Sequence, residues 1–199
     1  MANYRTSRIL PTILVVVIVI IAIVALISLA RAIFTGSSSN TAVTDTTEQS
    51  LLNTAASNSV SMSVRGPIVA EENFNSYKIT VSPSSREITT YKGYLGTVVE
   101  RQTLGNNTAA YEQFVNALNL AKMTAGNQPP DGENDVRGIC ATGSLSEFTI
   151  SSNDNPVETL WTSTCSGSQG TLRANVAQLS NLFTAQIPDA SKLIRNVSL

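Results

Sequence analysis

The stretch YKITVSPSSREITTY, residues 77–91, sets the fold class of this 199-residue chain. Apolar and polar residues alternate over 76–81, which is typical of a half-buried strand, and the turn sequence Pro-Ser-Ser-Arg follows at 83–86. The extended pattern resumes over 87–91 and, beyond two glycines, over 97–103. Short runs of this kind between turn signals predict antiparallel strands.

Helical spacing replaces this alternation farther along the chain. Residues 108–123 and 171–185 each carry apolar side chains three and four positions apart, the spacing of one helix face. Two more strand runs, 145–150 and 157–162, lie between these helices. We therefore predict an α+β fold in which an antiparallel sheet carries two helices on one face, in the order ββαββα.

A long apolar run occupies residues 9–34, and 22 uncharged residues separate Arg8 from Arg31. A helix of that length extends roughly 33 Å, enough to cross a hydrocarbon core of about 30 Å. We predict a transmembrane signal anchor, with the basic residues 1–8 in the cytoplasm and the C-terminal domain outside. A cleaved signal peptide, with residues 30–32 (Ala-Arg-Ala) as the cleavage site, is the alternative, although this run exceeds a typical signal sequence.

The segment after the anchor has the composition of a linker. Residues 35–63 are rich in Ser, Thr and Asn and contain no proline. We predict a flexible tether there, and an extracytoplasmic α+β domain over residues 64–199.

The charged residues restrict the function of this domain. The chain contains no histidine, so a Ser-His-Asp or Cys-His catalytic site is excluded within one chain. Beyond residue 44 there are ten basic and fourteen acidic residues, a net charge of −4 without the basic clusters that nucleic acid requires. We predict no enzymatic activity, no catalytic residues, no cofactor and no nucleic-acid partner.

The chain has two cysteines, Cys140 and Cys165, each in polar, glycine-bearing surroundings. A disulfide, half of a metal site and a reactive thiol are the three interpretations. The hairpin predicted around residues 153–156 brings the two cysteines together, and an extracytoplasmic location permits oxidation. We predict a disulfide and no metal site. The thiol alternative rests on the loop 166–170, which would precede the predicted helix and stabilise a thiolate at Cys165.

Two further features are candidates for binding. The acidic loop 131–135 (DGEND) offers alternating oxygen ligands, but the twelfth position of a hand-type calcium loop is occupied by Thr142 instead of glutamate. A solvated loop and weak calcium binding both remain open there. Trp161, Tyr91 and Tyr94 either line a binding surface or pack in half-buried positions.

Five stretches cover most of the predicted extracytoplasmic domain: YKITVSPSSREITTYKGY, NNTAAYEQFVNALNLAKM, GICATGSLSEF, LWTSTCSGSQGTLRANVAQLSNLF and QIPDA. In these stretches the domain resembles uncharacterised single-pass membrane-anchored proteins of Saccharibacteria-type small-genome bacteria. That resemblance implies a bacterial cell-surface protein, and it brings no assigned catalytic or binding residues.

These observations predict a membrane-anchored, non-enzymatic module that binds a protein or glycan partner outside the cell. Two alternatives belong to other classes. A pilin-like filament subunit would need an acidic residue early in the apolar run, which this chain lacks. An envelope hydrolase of the Ser/Lys type would need a serine paired with a lysine, and none of the four lysines lies in such a sequence motif: Lys78, Lys92, Lys122 and Lys192.

Overall fold

The computed structural model describes residues 39–127 and 135–195, and the side chains of its first helix from residue 46 onward. The predicted cytoplasmic segment 1–8 and transmembrane anchor 9–34 lie outside the described residues. No helix within the described residues has the length and apolarity needed to cross a membrane. The chain divides into two compact units, Met1–Val43 and Thr44–Leu199, and the account below concerns the second unit.

Six strands and four α-helices make up the described chain. The elements follow in the order α1 (Ser39–Leu52), β1 (Asn58–Arg65), a 3-10 turn (Glu71–Asn73), β2 (Asn75–Val81), β3 (Ser85–Lys92), β4 (Thr97–Gly105), α2 (Thr108–Leu120), β5 (Leu145–Ser152), β6 (Asn155–Ser163), α3 (Val176–Thr184) and α4 (Ala190–Arg195).

The strands form one antiparallel sheet in the order β4-β3-β2-β1-β5-β6. The predicted α+β class with an antiparallel sheet is confirmed. The predicted order ββαββα is wrong, because four strands precede α2 and two helices follow β6. Three of these four strands match the strand runs recognised over 76–81, 87–91 and 97–103, of which the predicted order counted only two. The fourth is β1, which had no predicted counterpart; it pairs with β2 on one side and β5 on the other and so joins the two halves of the sheet.

The predicted linker 35–63 is wrong over most of its length, because it contains a helix and most of strand β1. Residues 58–63 belong to this central strand, and α1 precedes it within the same segment. Val60 and Met62 alternate with serines and are fully buried, so the segment follows the two-residue period of a strand in spite of its serine content. Leu51 near the end of α1 is also fully buried. The folded domain therefore begins before residue 64.

Helix α3 begins five residues later than predicted. The amides of Thr171 and Leu172 both donate to the carbonyl oxygen of Trp161, at 2.9 and 3.0 Å, so these residues extend along β6 instead of coiling. The helix starts only where the side chain of Asn175 accepts a hydrogen bond from the Gln178 amide at 3.0 Å. Helix α2 begins as expected, since Asn107 caps the Ala110 amide at 2.9 Å.

The core lies on one face of the sheet. Phe183 of α3 packs against Phe114 of α2, with ring centroids 5.2 Å apart, and against Phe148 of β5, at 6.0 Å. Leu51 of α1 and Leu193 of α4 belong to the same cluster, so all four helices cover this face. The opposite face, which we call the open face, carries no helix among the described residues.

Candidate functional site

The open face presents polar side chains in rows that cross the sheet. Because residues directly opposite each other on paired strands point to the same face, the strand register defines each row. One row crosses all six strands and holds most of the charge on this face. From β4 to β6 it consists of Arg101, Thr89, Lys78, Ser63, Glu147 and Trp161.

A second row beside it consists largely of hydroxyl groups. Thr149 and Thr159 are hydrogen-bonded to each other, with their Oγ1 atoms 3.2 Å apart. The Ser and Thr side chains of this row are small and polar, so they project only a short distance from the sheet. From β4 to β6 the row consists of Thr103, Glu87, Thr80, Ser61, Thr149 and Thr159.

At the β3–β4 end of the open face, the polar side chains form hydrogen bonds with one another. Glu87 accepts hydrogen bonds from Thr89 at 3.0 Å and from Thr103 at 2.9 Å. Arg101 lies 3.6 Å from the Glu87 carboxylate and donates to the Thr89 hydroxyl at 3.2 Å. These side chains use much of their hydrogen-bonding capacity on one another.

The remainder of the charged row differs in this respect. Lys78, Ser63, Glu147 and Trp161 occupy four neighbouring strands, and within the described residues none of their side chains makes a hydrogen bond. Lys78 is exposed and the other three are half-buried. We call these four residues the binding row, because they form a continuous line across four strands whose side-chain donors and acceptors have no hydrogen-bond partner among the described residues.

Glu147 is the central electrostatic feature of the binding row. Its partial burial raises the pKa of the carboxyl group, while the positive charges of Arg65 and Lys78 act in the opposite direction. Arg65 follows Ser63 on the same face of β1, so two cations flank one carboxylate. The net charge of this group is positive, in a domain whose net charge is negative.

A loop bounds the binding row at one end of the sheet. Arg65 donates from Nη2 to the carbonyl oxygens of Val136, at 3.0 Å, and Ile139, at 2.5 Å. Leu145 lies opposite Arg65 on the open face, yet it is fully buried and lies outside the main core cluster. The loop 136–144 therefore covers this end of the open face and forms a step beside Glu147.

The disulfide holds this loop in place. Cys140 and Cys165 are bonded, with Cα atoms 5.4 Å apart, which confirms the disulfide prediction and overturns the reactive-thiol alternative. The bond joins the loop to the chain just beyond β6, at the open end of the β5–β6 hairpin. Gly143 is required beside it, because a Cβ atom there would overlap the hydroxyl of Thr164 and approach Cys140 Sγ to 2.9 Å.

The other sequence candidates are placed as follows. Residues 166–170 lead into the extended stretch beside Trp161 and not into a helix, so the proposed anion-stabilising helix N-terminus is absent there.

Residues 131–134 of the acidic loop lie outside the described part of the chain. Asp135 is described, and its hydrogen bonds from the Arg137 side chain lower its carboxyl pKa to about 2. Across residues 39–127 and 135–195, no cluster of three metal-ligating side chains occurs.

The aromatic candidates separate into two groups. Trp161 ends the binding row on β6, and Tyr91 points to the open face from β3. Tyr94 stacks on Phe74, with ring centroids 4.1 Å apart, and donates its hydroxyl proton to the Val69 carbonyl at 2.6 Å. Trp161 is thus the aromatic residue best placed to contact a ligand of the binding row.

The binding row could not be recognised in the sequence, because its members lie on four strands and only the register aligns them. The register also places Ser63 directly opposite Lys78, a serine–lysine pair that no linear motif indicates. No known protein family matches this sequence, and no curated protein matches it. The resemblance to bacterial surface proteins stays a prediction.

Proposed function

We propose that this protein is an extracytoplasmic binding module, held at the membrane by the apolar segment 9–34, that engages a protein or glycan partner through its open face. The observation that carries the proposal is the contrast within that face. The β3–β4 end is hydrogen-bonded internally, whereas the binding row has unused donors and acceptors within the described chain. A half-buried carboxylate without a hydrogen bond is unfavourable by itself and gains stability when a ligand supplies donors.

A Ser/Lys hydrolase is the second candidate, because Ser63 lies opposite Lys78. The lysine of such a hydrolase is held in a desolvated site, whereas the side chain of Lys78 is exposed. Acyl transfer also needs donors arranged around the oxyanion, and one of the two residues directly opposite Ser63 on the paired strands is Glu147, a carboxylate. We therefore favour binding without catalysis.

Photo-cross-linking in intact cells tests the binding function. A photo-reactive amino acid replaces Thr80 on the open face in one variant and the exposed Gln113 on α2 in the control variant. We expect covalent adducts from position 80 and none from position 113, detected as slower-migrating bands of the tagged full-length protein. Equal adducts from both positions, or adducts from position 113 alone, would contradict the proposal.

Two further measurements address location and catalysis. Protease added to intact cells should remove the C-terminal domain, because the basic residues before the apolar run favour a cytoplasmic N-terminus. Digestion only after lysis would reverse this orientation.

The full-length protein should show no hydrolysis of ester or peptidoglycan probes, and hydrolysis that is lost in Ser63→Ala would favour the hydrolase.

A further inference from the structure

The chemistry of the binding row indicates one class of ligand. We propose that the row binds an acidic saccharide chain that lies across the strands, with a sugar ring on Trp161 and an anionic substituent at Lys78. This inference deepens the proposed binding function and rests on it. The binding row and Arg65 carry it together.

Trp161 supplies the surface on which a sugar ring can stack. The π face of an indole is electronegative, and the C–H groups on one side of a pyranose ring are electropositive, so the two pack face to face. Trp161 is half-buried and its ring nitrogen has no acceptor among the described residues. The indole N–H is therefore available as a donor at the edge of the stacked ring.

Glu147 and Ser63 supply hydrogen bonds for sugar hydroxyls. A carboxylate accepts hydrogen bonds on both oxygens, and a serine hydroxyl both donates and accepts, which matches the dual character of a sugar hydroxyl. Glu147 lies beside Trp161 and Ser63 lies beside Glu147 on the next strand. Each successive side chain can thus contact a successive part of one chain-like ligand.

Charge complementarity selects an acidic chain. Lys78 and Arg65 provide two positive charges against the single negative charge of Glu147. Arg65 is already hydrogen-bonded to two loop carbonyls, so Lys78 is the cation of this group that has no hydrogen bond among the described residues. A carboxylate or phosphate substituent on the saccharide is the matching partner for Lys78.

The face itself is unsuited to an extended peptide. A peptide that adds to a sheet pairs with backbone groups at an edge strand, whereas three of the four row residues lie on β2, β1 and β5, whose backbones are paired on both sides. Trp161 lies on the edge strand β6, where its carbonyl oxygen already accepts from the amides of Thr171 and Leu172. Side-chain recognition of a peptide also needs pockets, and the neighbouring row, with Ser61 and Thr80 beside Ser63 and Lys78, offers only short side chains to form their walls. A saccharide chain needs neither an edge nor a pocket.

The strand spacing sets the minimum length of the ligand. Neighbouring strands are about 4.8 Å apart, close to the length of one pyranose ring in a polymer, and three such spacings separate Lys78 from Trp161. A ligand that spans the row therefore needs about three or four sugar units. Shorter fragments reach only one end of the row.

Trp161 also provides the measurement, because it is the only tryptophan in the chain. Its fluorescence is recorded for the full-length protein in a polyoxyethylene detergent while galacturonic acid oligomers of one, two and four units are added. We expect a saturable change with the tetramer and little change with the monomer. A phosphorylated mannose tetramer tests phosphate as the anion; a response to either acidic tetramer supports the proposal and identifies the group.

Two ligand controls separate charge from sugar. The fully methyl-esterified tetramer keeps the rings and removes the charge, and a tetraglutamate peptide keeps the charge and removes the rings. We expect both to bind at least about tenfold more weakly than the acidic tetramer, the effect of losing one charged hydrogen bond. Equal binding of the ester would overturn the anionic assignment, and equal binding of tetraglutamate would overturn the saccharide assignment.

Protein variants place the ligand on the row. Lys78→Ala should weaken binding of the acidic tetramer about tenfold, whereas the matched variant Lys192→Ala, an exposed lysine on α4, should not. Trp161→Phe, measured by calorimetry, should weaken binding of the tetramer and its ester alike. If no saccharide binds while cross-links still form from position 80, the ligand class is wrong and the binding function stands; loss of both contradicts both.

Discussion

Glu158 is a carboxylate on the helix-covered face of β6, opposite Ile150. It is 9% exposed and has no hydrogen bond among the described residues, and burial raises its pKa from the ordinary 4.5 to about 7. Below about pH 7 the folded protein therefore favours the uncharged form of the Glu158 carboxyl group. The position is one where the fold and the charge of a side chain oppose each other.

This opposition predicts a pH-dependent stability. Between pH 4.5 and 7 the folded protein retains a proton that the unfolded chain releases, so the free energy of unfolding falls as the pH rises through this range. The full effect is about 1–3 kcal/mol. Glu158→Gln should remove this slope and make the protein more stable than the parent at pH 8, as measured by urea unfolding followed through Trp161 fluorescence.

The exposed Glu112 on α2 provides the control for Glu158. Glu112→Gln should leave the pH profile unchanged, because the side chain stays in water in both states. A Glu158→Gln profile that parallels the parent profile from pH 4 to pH 8 would show that the Glu158 carboxyl is not the group responsible.

The sequence predicts the role of a single residue when that role depends on residues close to it in the chain. The two cysteines at the ends of one predicted hairpin were sufficient to predict the disulfide. Glu147 and Trp161 were not recognisable as neighbours. Their contact depends on the pairing of β5 with β6, and a one-residue slip of that register would place them on opposite faces.

Among the elements, β1 departs most from the sequence prediction. Its alternation of serines with Val60, Met62 and Val64 is a strand signal, but the surrounding Ser- and Thr-rich residues resemble a linker in composition. Composition describes what a segment would do alone, whereas β1 is stabilised by pairing with β2 and β5. Similarly, helical spacing at 171–175 gave way to hydrogen bonds with Trp161.

The central position of β1 predicts a large effect of shortening a side chain there. Met62 is fully buried between β2 and β5, so Met62→Ala should lower the free energy of unfolding by about 2–5 kcal/mol. Leu120→Ala, at a position that is 81% exposed, is the matched control and should change it little. Equal, small effects in urea unfolding would indicate that residues 58–63 behave as a linker after all.

The β5–β6 hairpin with its disulfide gives a second prediction at this scale. The bond closes a loop with a sequence separation of 25 residues, so its removal in Cys140→Ser plus Cys165→Ser should cost about 3–4 kcal/mol, with the magnitude dependent on the entropic model. The double variant avoids a free thiol. Because the disulfide also fixes the loop 136–144 beside Glu147, any ligand affinity of the binding row should fall with stability; unchanged stability would contradict this role.

On the scale of the whole molecule, the helices pack on one face of the sheet, and the proposed binding function is assigned to the other. All four helices contribute to one core on one face, and the disulfide end ties the last hairpin to the loop beside the binding row. This layering follows from the strand alternation, which the sequence does show. The boundary of the domain does not follow from it, because the sheet is complete only when β1 lies between β2 and β5.

That boundary can be tested with three fragments, which start at residues 39, 53 and 64 and end at 199. Because β1 joins β2 to β5, the fragment 64–199 should lack a folded core, with little dispersion in its amide proton spectrum and no cooperative unfolding. Fragment 39–199 should fold, since it contains every described element. Fragment 53–199 retains β1 but loses Leu51, which is fully buried, so it should fold with about 2–5 kcal/mol less stability.

A synthetic peptide of residues 55–66 added to fragment 64–199 should restore dispersion by supplying the missing strand, and a peptide with the same residues in scrambled order should not. Cooperative unfolding of 64–199 alone, at the midpoint of 39–199, would show that the sheet closes without β1.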